Sequence, residues 1–152
     1  MKKLLSILLC ICLLGTFLTV SAAAQEEAPQ APKTTIEYFS NGDYFVTVVT
    51  QDAPVGRSTD TSGSKTGTYY TASGTAVWDV TVYGTFSYTR GVTSTANSAS
   101  ATVYIADSSA KFISKNAYTS GASAYATATV SYKSLSTTKT VVLTCDKYGN
   151  LY

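Results

Sequence analysis

Strict alternation of apolar and hydroxyl-bearing side chains in two segments most limits how this chain can fold. In residues 75–89, every second position is apolar, including Trp78, Val80 and Val82, and mostly threonine, tyrosine and serine lie between them. Residues 122–132 alternate alanine with serine, threonine and tyrosine in the same way. Because successive side chains of a strand point to opposite faces, both segments are predicted to be strands with one buried face. The row of alanines predicts a second sheet that approaches closely.

The segment 75–89 is the clearest strand in the chain. Its buried face is predicted to be the one that carries Trp78, which makes this side chain a core anchor rather than a ligand contact. Fifteen extended residues would span roughly 50 Å, which is too long for a small domain. Gly84 lies on the apolar face and is the predicted bend or bulge.

Short alternating segments continue along most of the chain. Asn41-Gly42 lies between two of them and is a strong hairpin signal. About seven short strands with a turn roughly every ten residues indicate an all-β fold, an antiparallel β-sandwich that is immunoglobulin-like or related, with an open β-barrel as the alternative. The predicted strands cover residues 34–39, 44–50, 65–72, 75–89, 98–106, 122–132 and 139–145.

Three stretches between these strands are interpreted as connections. Residues 51–64 are predicted to form a polar loop, and residues 91–97 a Ser/Thr-rich connection. Residues 107–120 are predicted to be irregular, with Phe112 and Ile113 turned inward. A single domain spanning residues 34–152 follows from this pattern.

The N-terminal 24 residues have the layout of a secretory signal peptide with a signal helix. Lys2 and Lys3 precede an uncharged apolar run over residues 4–20, and small residues follow it. Cleavage is predicted between Ala24 and Gln25. Residues 25–33, rich in acids and prolines, are predicted to form a flexible arm. The protein is therefore expected to be secreted and extracellular, and to meet the membrane only through its signal peptide.

Removal of the signal leaves a chain with no net charge, because nine basic and nine acidic residues remain. No basic surface is expected to attract nucleic acid. The sequence contains no histidine, which excludes Ser-His-Asp and Cys-His catalysis and the commonest metal ligand. Cys145 is the one cysteine beyond the signal. It is predicted to be a buried thiol, with an intermolecular disulfide as the alternative.

The remaining chemical motifs favour no enzyme activity, metal site or cofactor. Ser62 to Lys65 matches S-x-x-K by letter, and Lys65-Thr66-Gly67 matches K-T-G, but both would need the same lysine. Asp79 is interpreted as a solvated strand residue. Asp146 is interpreted as a turn residue, since alternating acids of a calcium loop are missing around it.

Four segments resemble an uncharacterised family of small secreted proteins of Gram-positive bacteria. They are residues 62–68, 78–88, 120–122 and 143–151, and the segment that contains Trp78 is the most specific of them. The resemblance covers roughly residues 60–152. It implies an extracellular protein and supplies no catalytic residues.

Tyr83, Tyr104 and Tyr125 are the candidate ligand-binding residues. Each lies on the hydroxyl-rich face of its own predicted strand, and together they are predicted to form an exposed aromatic platform. Rings flanked by hydroxyl groups are typical of sandwich modules that hold sugars. The favoured hypothesis is a secreted, non-catalytic module that binds carbohydrate or a cell surface. A membrane-active, pore-forming protein is the alternative, since residues 75–106 contain two amphipathic strands, and a small hydrolase is the least favoured.

Overall fold

The computed structural model describes residues 33–53 and 59–152, and in this part of the chain eight antiparallel strands form two sheets. The predicted signal peptide, its cleavage site after Ala24 and the arm up to residue 32 lie outside the described residues. The strands are β1 (Thr34–Tyr38), β2 (Tyr44–Gln51), β3 (Asp60–Tyr70), β4 (Ala76–Thr89), β5 (Thr93–Ile105), β6 (Lys111–Ser120), β7 (Ser123–Tyr132) and β8 (Leu135–Thr144).

Each sheet is a meander in which a strand pairs with the next one along the chain. The first sheet has the order β1-β2-β3-β4-β5 and the second has the order β6-β7-β8. This order is simpler than the Greek-key connections of immunoglobulin domains. The predicted all-β antiparallel sandwich is confirmed, with one strand more than the sequence indicated.

The core lies between the facing sides of the two sheets, and Trp78 is at its centre. Its side chain is 1% exposed and stacks on the ring of Tyr69, with centroids 6.0 Å apart and planes 10° from parallel. The centroid of the Phe45 ring lies 6.1 Å from that of Trp78. Val80 and Val82 follow on the same face of β4 and are fully buried. The sequence prediction of Trp78 as a core anchor is therefore confirmed.

The alanine row of β7 brings the two sheets close together, as its sequence predicted. Ala124, Ala126 and Ala128 are fully buried on the inner face. Gly84 of β4 lies opposite, and a Cβ atom there would be 3.0 Å from the Ala124 Cβ and 2.8 Å from the Phe86 ring. Gly84 is regularly paired on both sides, so the bulge predicted at this residue is wrong. The β4–β5 register shifts between Thr85 and Phe86, and the extra residue is Asn97 of β5.

Residues 107–120 depart from the prediction, because most of this segment is strand β6. Phe112 and Ile113 are 48% and 51% exposed, so the expectation that both turn inward is wrong. A bulge between Phe112 and Ser114 interrupts the alternation of this edge strand, and most of its side chains are exposed. Because the bulge interrupts the alternation and neither face is continuously buried, the sequence of this segment shows little of the apolar–polar alternation that predicts a strand.

Two other predicted connections are partly strand. β3 begins at Asp60, within the predicted polar loop, and β5 begins at Thr93, within the predicted Ser/Thr-rich connection. In both cases small polar residues pair through the backbone with the C-terminal half of β4, the long strand that lies between β3 and β5. Backbone pairing of this type requires only a partner strand, so it produces no alternation of apolar residues by which the sequence could reveal it.

One end of the sandwich is held by a carboxylate that links three segments. Asp43 accepts hydrogen bonds from the Tyr69 hydroxyl at 2.5 Å, the Asn41 amide at 2.8 Å and the backbone N–H of Ala72 at 2.8 Å. These bonds, led by the one from Tyr69, hold the pKa of Asp43 below its usual value. The same site raises the pKa of Tyr69 to about 12, mainly through burial and then through its bond to Asp43. The β1–β2 hairpin is thereby tied to the turn that follows β3.

The free energy of unfolding is expected to fall as the pH rises from about 10 to about 12. An unfolded chain ionises Tyr69 near 10.0, whereas the folded chain retains the proton up to about 12. The contribution is therefore complete below pH 10 and is lost as the pH approaches 12, at a cost of roughly 2–3 kcal/mol. Urea unfolding at a series of pH values measures this loss, and Tyr69→Phe should flatten the slope.

Cys145 requires a separate control in that experiment. Burial raises the pKa of its thiol to about 11, so it contributes a loss of the same sign at slightly lower pH. The series is therefore run in a Cys145→Ala background. An unchanged slope in the Tyr69→Phe variant would assign the alkaline loss to other groups.

Candidate functional site

The structure places two of the three predicted tyrosines on one surface and the third on another. Tyr83 of β4 and Tyr104 of β5 point away from the core on the outer face of the five-stranded sheet, where they are 48% and 65% exposed. Tyr125 lies on β7, on the outer face of the three-stranded sheet. The prediction of one platform shared by all three rings is wrong, because β7 belongs to the other sheet.

Tyr83 and Tyr104 are separated by four residues of strand length. Asp79 is the cross-strand partner of Tyr104, and Ser100 is the partner of Tyr83. This register places the two side chains about 14 Å apart along the strands. Thr81 and Thr102 lie paired between them. The Thr102 side chain is exposed, whereas Thr81 is buried and its hydroxyl shares a hydrogen bond with the Thr66 hydroxyl at 2.8 Å.

Three further tyrosines lie on the same outer face. Tyr44 is paired with Tyr38 on one side and Tyr70 on the other. The Tyr44 and Tyr70 rings are stacked at 5.0 Å and 10°, and the Tyr38 ring lies 5.7 Å from Tyr44. We refer to this surface as the tyrosine face, defined by Tyr38, Tyr44, Tyr70, Tyr83 and Tyr104.

The tyrosine face carries no positive charge at any outward-facing position of strands β1 to β5 in the described chain. Asp79 lies within it, between Thr68 of β3 and Tyr104 of β5. Its carboxylate makes no hydrogen bond or ion pair with a described residue, and partial burial raises its pKa. Asp79 is thus an available acceptor beside an exposed ring.

Tyr125 forms a different aromatic feature with Tyr118 of β6. Their rings are stacked at 4.7 Å and are 2° from parallel. Beside this pair, hydroxyl hydrogen bonds join Thr127 to Thr140 at 2.8 Å and Thr129 to Thr138 at 2.9 Å. This surface therefore offers one ring pair, whereas the tyrosine face offers five rings over a wider sheet.

The residues that resemble catalytic motifs by letter do not converge. Ser62 and Lys65 both lie within β3, three positions apart, so their side chains point to opposite faces of the sheet. The Ser62 hydroxyl donates to Asp52 at 2.6 Å. Lys65 lies on the inner face beside Val49 and Val82, where burial lowers its pKa and the charge of Lys33 adds to that effect.

The other polar candidates have structural roles. Cys145 is buried, as predicted, and its thiol donates to the Asp146 carbonyl at 3.3 Å. The Asp146 carboxylate accepts bonds from the backbone N–H groups of Tyr148 and Asn150 and from the Asn150 side chain, which closes a turn. Residues 33–53 and 59–152 contain no group of three acidic or thiol side chains that could hold a metal ion.

No protein-family model, curated protein or solved structure matches this chain. Its function is therefore inferred from its own residues and geometry. In the two ranges that the structure describes, no helix is long and apolar enough to cross a membrane.

Proposed function

We propose that this protein is a secreted, non-catalytic module that binds carbohydrate at a cell surface through its tyrosine face. The observation that carries the proposal is the presence of five outward-facing tyrosines on one sheet, without a lysine or arginine among them. Ring faces pack against the apolar C–H groups of sugars, and hydroxyl and carboxylate groups between the rings bind sugar hydroxyls. A nucleic acid or an anionic membrane would need positive charge that this face lacks.

Tyr83 and Tyr104 are the proposed principal contacts. They are exposed, they lie on either side of the exposed Thr102, and the free acceptor Asp79 is directly beside Tyr104. Their separation of about 14 Å suits an extended ligand that touches both rings rather than one small molecule. Tyr125 lies on the other sheet and is not part of this proposed site.

Burial of the inner face of β4 favours the binding module over a membrane-active hairpin. Trp78, Val80, Val82 and Phe86 are at most 1% exposed between the sheets. Insertion of the β4–β5 hairpin into a bilayer would remove these side chains from the core and separate β4 from β3. The free energy needed would be of the order of the whole stability of a domain, about 5–15 kcal/mol.

Retention on insoluble polysaccharides tests the proposal. Purified protein is mixed with peptidoglycan, chitin and cellulose, and the Tyr83→Ser/Tyr104→Ser variant is compared with the wild type. We expect the variant to bind at least about tenfold more weakly, since two ring contacts are lost. Wild-type binding should change little between low and high salt, because ring stacking does not depend on charge.

The Tyr118→Ser/Tyr125→Ser variant is the matched control, because it removes two stacked rings from the outer face of the opposite sheet. The Tyr83→Ser/Tyr104→Ser variant should unfold at nearly the wild-type temperature, since exposed side chains contribute little to the core, and the control variant should remain folded. Equal loss of retention in both variants, or no retention of the wild type on any of the three polymers, would refute the tyrosine face as the binding surface.

A further inference from the structure

A second concave site lies at the end of the sandwich where Asp43 joins the β1–β2 hairpin to the turn after β3. It is a cavity of about 470 Å³, which is within the usual range for small-molecule sites. Trp78 and Tyr69 form its floor, and Tyr132 and Leu135 contribute apolar wall. Leu135 is an exposed apolar side chain at the rim. The cavity opens between the two sheets, whereas the tyrosine face lies on the outer side of one of them.

The polar groups of this cavity include both unused donors and an unused acceptor position. The Oδ2 atom of Asp43 accepts bonds from Tyr69 and Asn41, but Oδ1 accepts only the Ala72 N–H and keeps one lone pair. The Lys133 ammonium and the Thr137 hydroxyl make no hydrogen bond to a described residue. A ligand here can therefore donate to Asp43 and accept from Lys133 or Thr137.

The charges of the wall select the class of ligand. One carboxylate, Asp43, and one ammonium, Lys133, line the cavity, and the positive charge of Lys133 contributes to the lowered pKa of Asp43. An anion would be repelled by the Asp43 carboxylate, and a cation would be repelled by the Lys133 ammonium. A neutral molecule with adjacent hydroxyl groups satisfies both, and one apolar side of it can face Leu135 and Tyr132.

The backbone of the turn between β7 and β8 supports a role for Lys133. Lys133 and Ser134 have φ values of 49° and 66°, which are the only positive φ values of non-glycine residues in the described chain. A two-residue hairpin turn with this conformation favours asparagine and glycine. A lysine and a serine in these positions cost stability, and such local costs concentrate at functional sites.

We propose that this cavity binds a single neutral saccharide unit through Asp43, Lys133 and Thr137. The site is separate from the tyrosine face and does not depend on it. A sugar ring at the end of a chain fits a cavity of this size, with adjacent hydroxyls between the Asp43 carboxylate and the Lys133 ammonium.

NMR titration with glucose, galactose, mannose and N-acetylglucosamine tests this proposal. Amide signals of Ala72, Lys133 and Thr137 are expected to shift with at least one of these sugars, with a common dissociation constant. Lys133→Asn and Thr137→Val should each weaken the binding of that sugar by about fivefold to tenfold, which is the usual effect of losing one hydrogen bond. The Tyr83→Ser/Tyr104→Ser variant should leave these shifts unchanged, so that failure at one site is distinguishable from failure at the other.

Lys133→Asn also separates binding from stability. Asparagine tolerates a positive φ better than lysine, so this variant should unfold at an equal or higher temperature although it binds more weakly. Lys147→Asn is the matched control, because Lys147 is also a turn lysine and its amine lies 5.4 Å above a tyrosine ring, compared with 5.0 Å for Lys133. Absence of shifts up to the solubility limit of all four sugars would overturn the proposal, as would equal weakening by Lys147→Asn.

Discussion

Trp78→Ala is expected to destabilise the protein by about 3–5 kcal/mol. The side chain is 1% exposed and packs against both Tyr69 and Phe45, so its removal leaves a cavity that the β-sheet backbone cannot close. Since the total stability of a domain is about 5–15 kcal/mol, the variant should be marginally folded or unfolded at room temperature. Urea unfolding followed by tyrosine fluorescence and far-UV circular dichroism measures the difference.

Tyr83→Ala is the comparison for that variant, because it truncates an aromatic side chain of the same strand on the opposite face. Tyr83 is about half exposed, and its loss should change stability by less than about 1 kcal/mol. An equal loss from the two substitutions would mean that β4 does not distinguish an inner from an outer face.

The inner faces of β4 and β7 could be predicted because each strand is buried on one side only. Alternation then fixes which residues meet the core, since a shift by one position would expose Trp78 and bury Asp79. The same argument correctly placed the alanines of β7 against another sheet. Edge strand β6 could not be predicted in this way, because its bulge breaks the period and both of its faces are largely exposed.

The candidate site was predicted only in part. A period of two shows which face of its strand a side chain occupies, but it does not show to which sheet the strand belongs. Tyr83, Tyr104 and Tyr125 all lie on the outward side of their strands, as predicted, but only strand order shows that β7 belongs to the second sheet. The stacked Tyr38, Tyr44 and Tyr70 escaped prediction because their contact depends on the register of β1, β2 and β3. The hairpin turn at Gly42, which has a φ of 87°, was the local signal that fixed the first of these registers.

The segment from Ser62 to Gly67 shows how packing alone can produce a motif that resembles a catalytic one. A Cβ atom at Gly67 would lie 2.3 Å from the Phe45 ring and 2.8 Å from Val141. A Cβ atom at Gly63 would lie 2.5 Å from the Thr50 carbonyl oxygen and 2.6 Å from Leu151. Both glycines are therefore required by close approach to neighbouring atoms, and no substrate is needed to explain them.

Gly63→Ala is expected to destabilise the protein by about 2–3 kcal/mol, because the added methyl group meets backbone as well as a buried side chain. The Thr50 carbonyl cannot rotate away without separating β2 from β3. Ser64→Ala is the matched control: it changes the next residue of the same strand, on the outer face, and should alter stability by less than about 0.5 kcal/mol. Urea unfolding of the two variants measures the difference. If Gly63→Ala is as stable as the wild type, β2 and β3 are farther apart in solution than in the structure, and the packing explanation of the glycine is wrong.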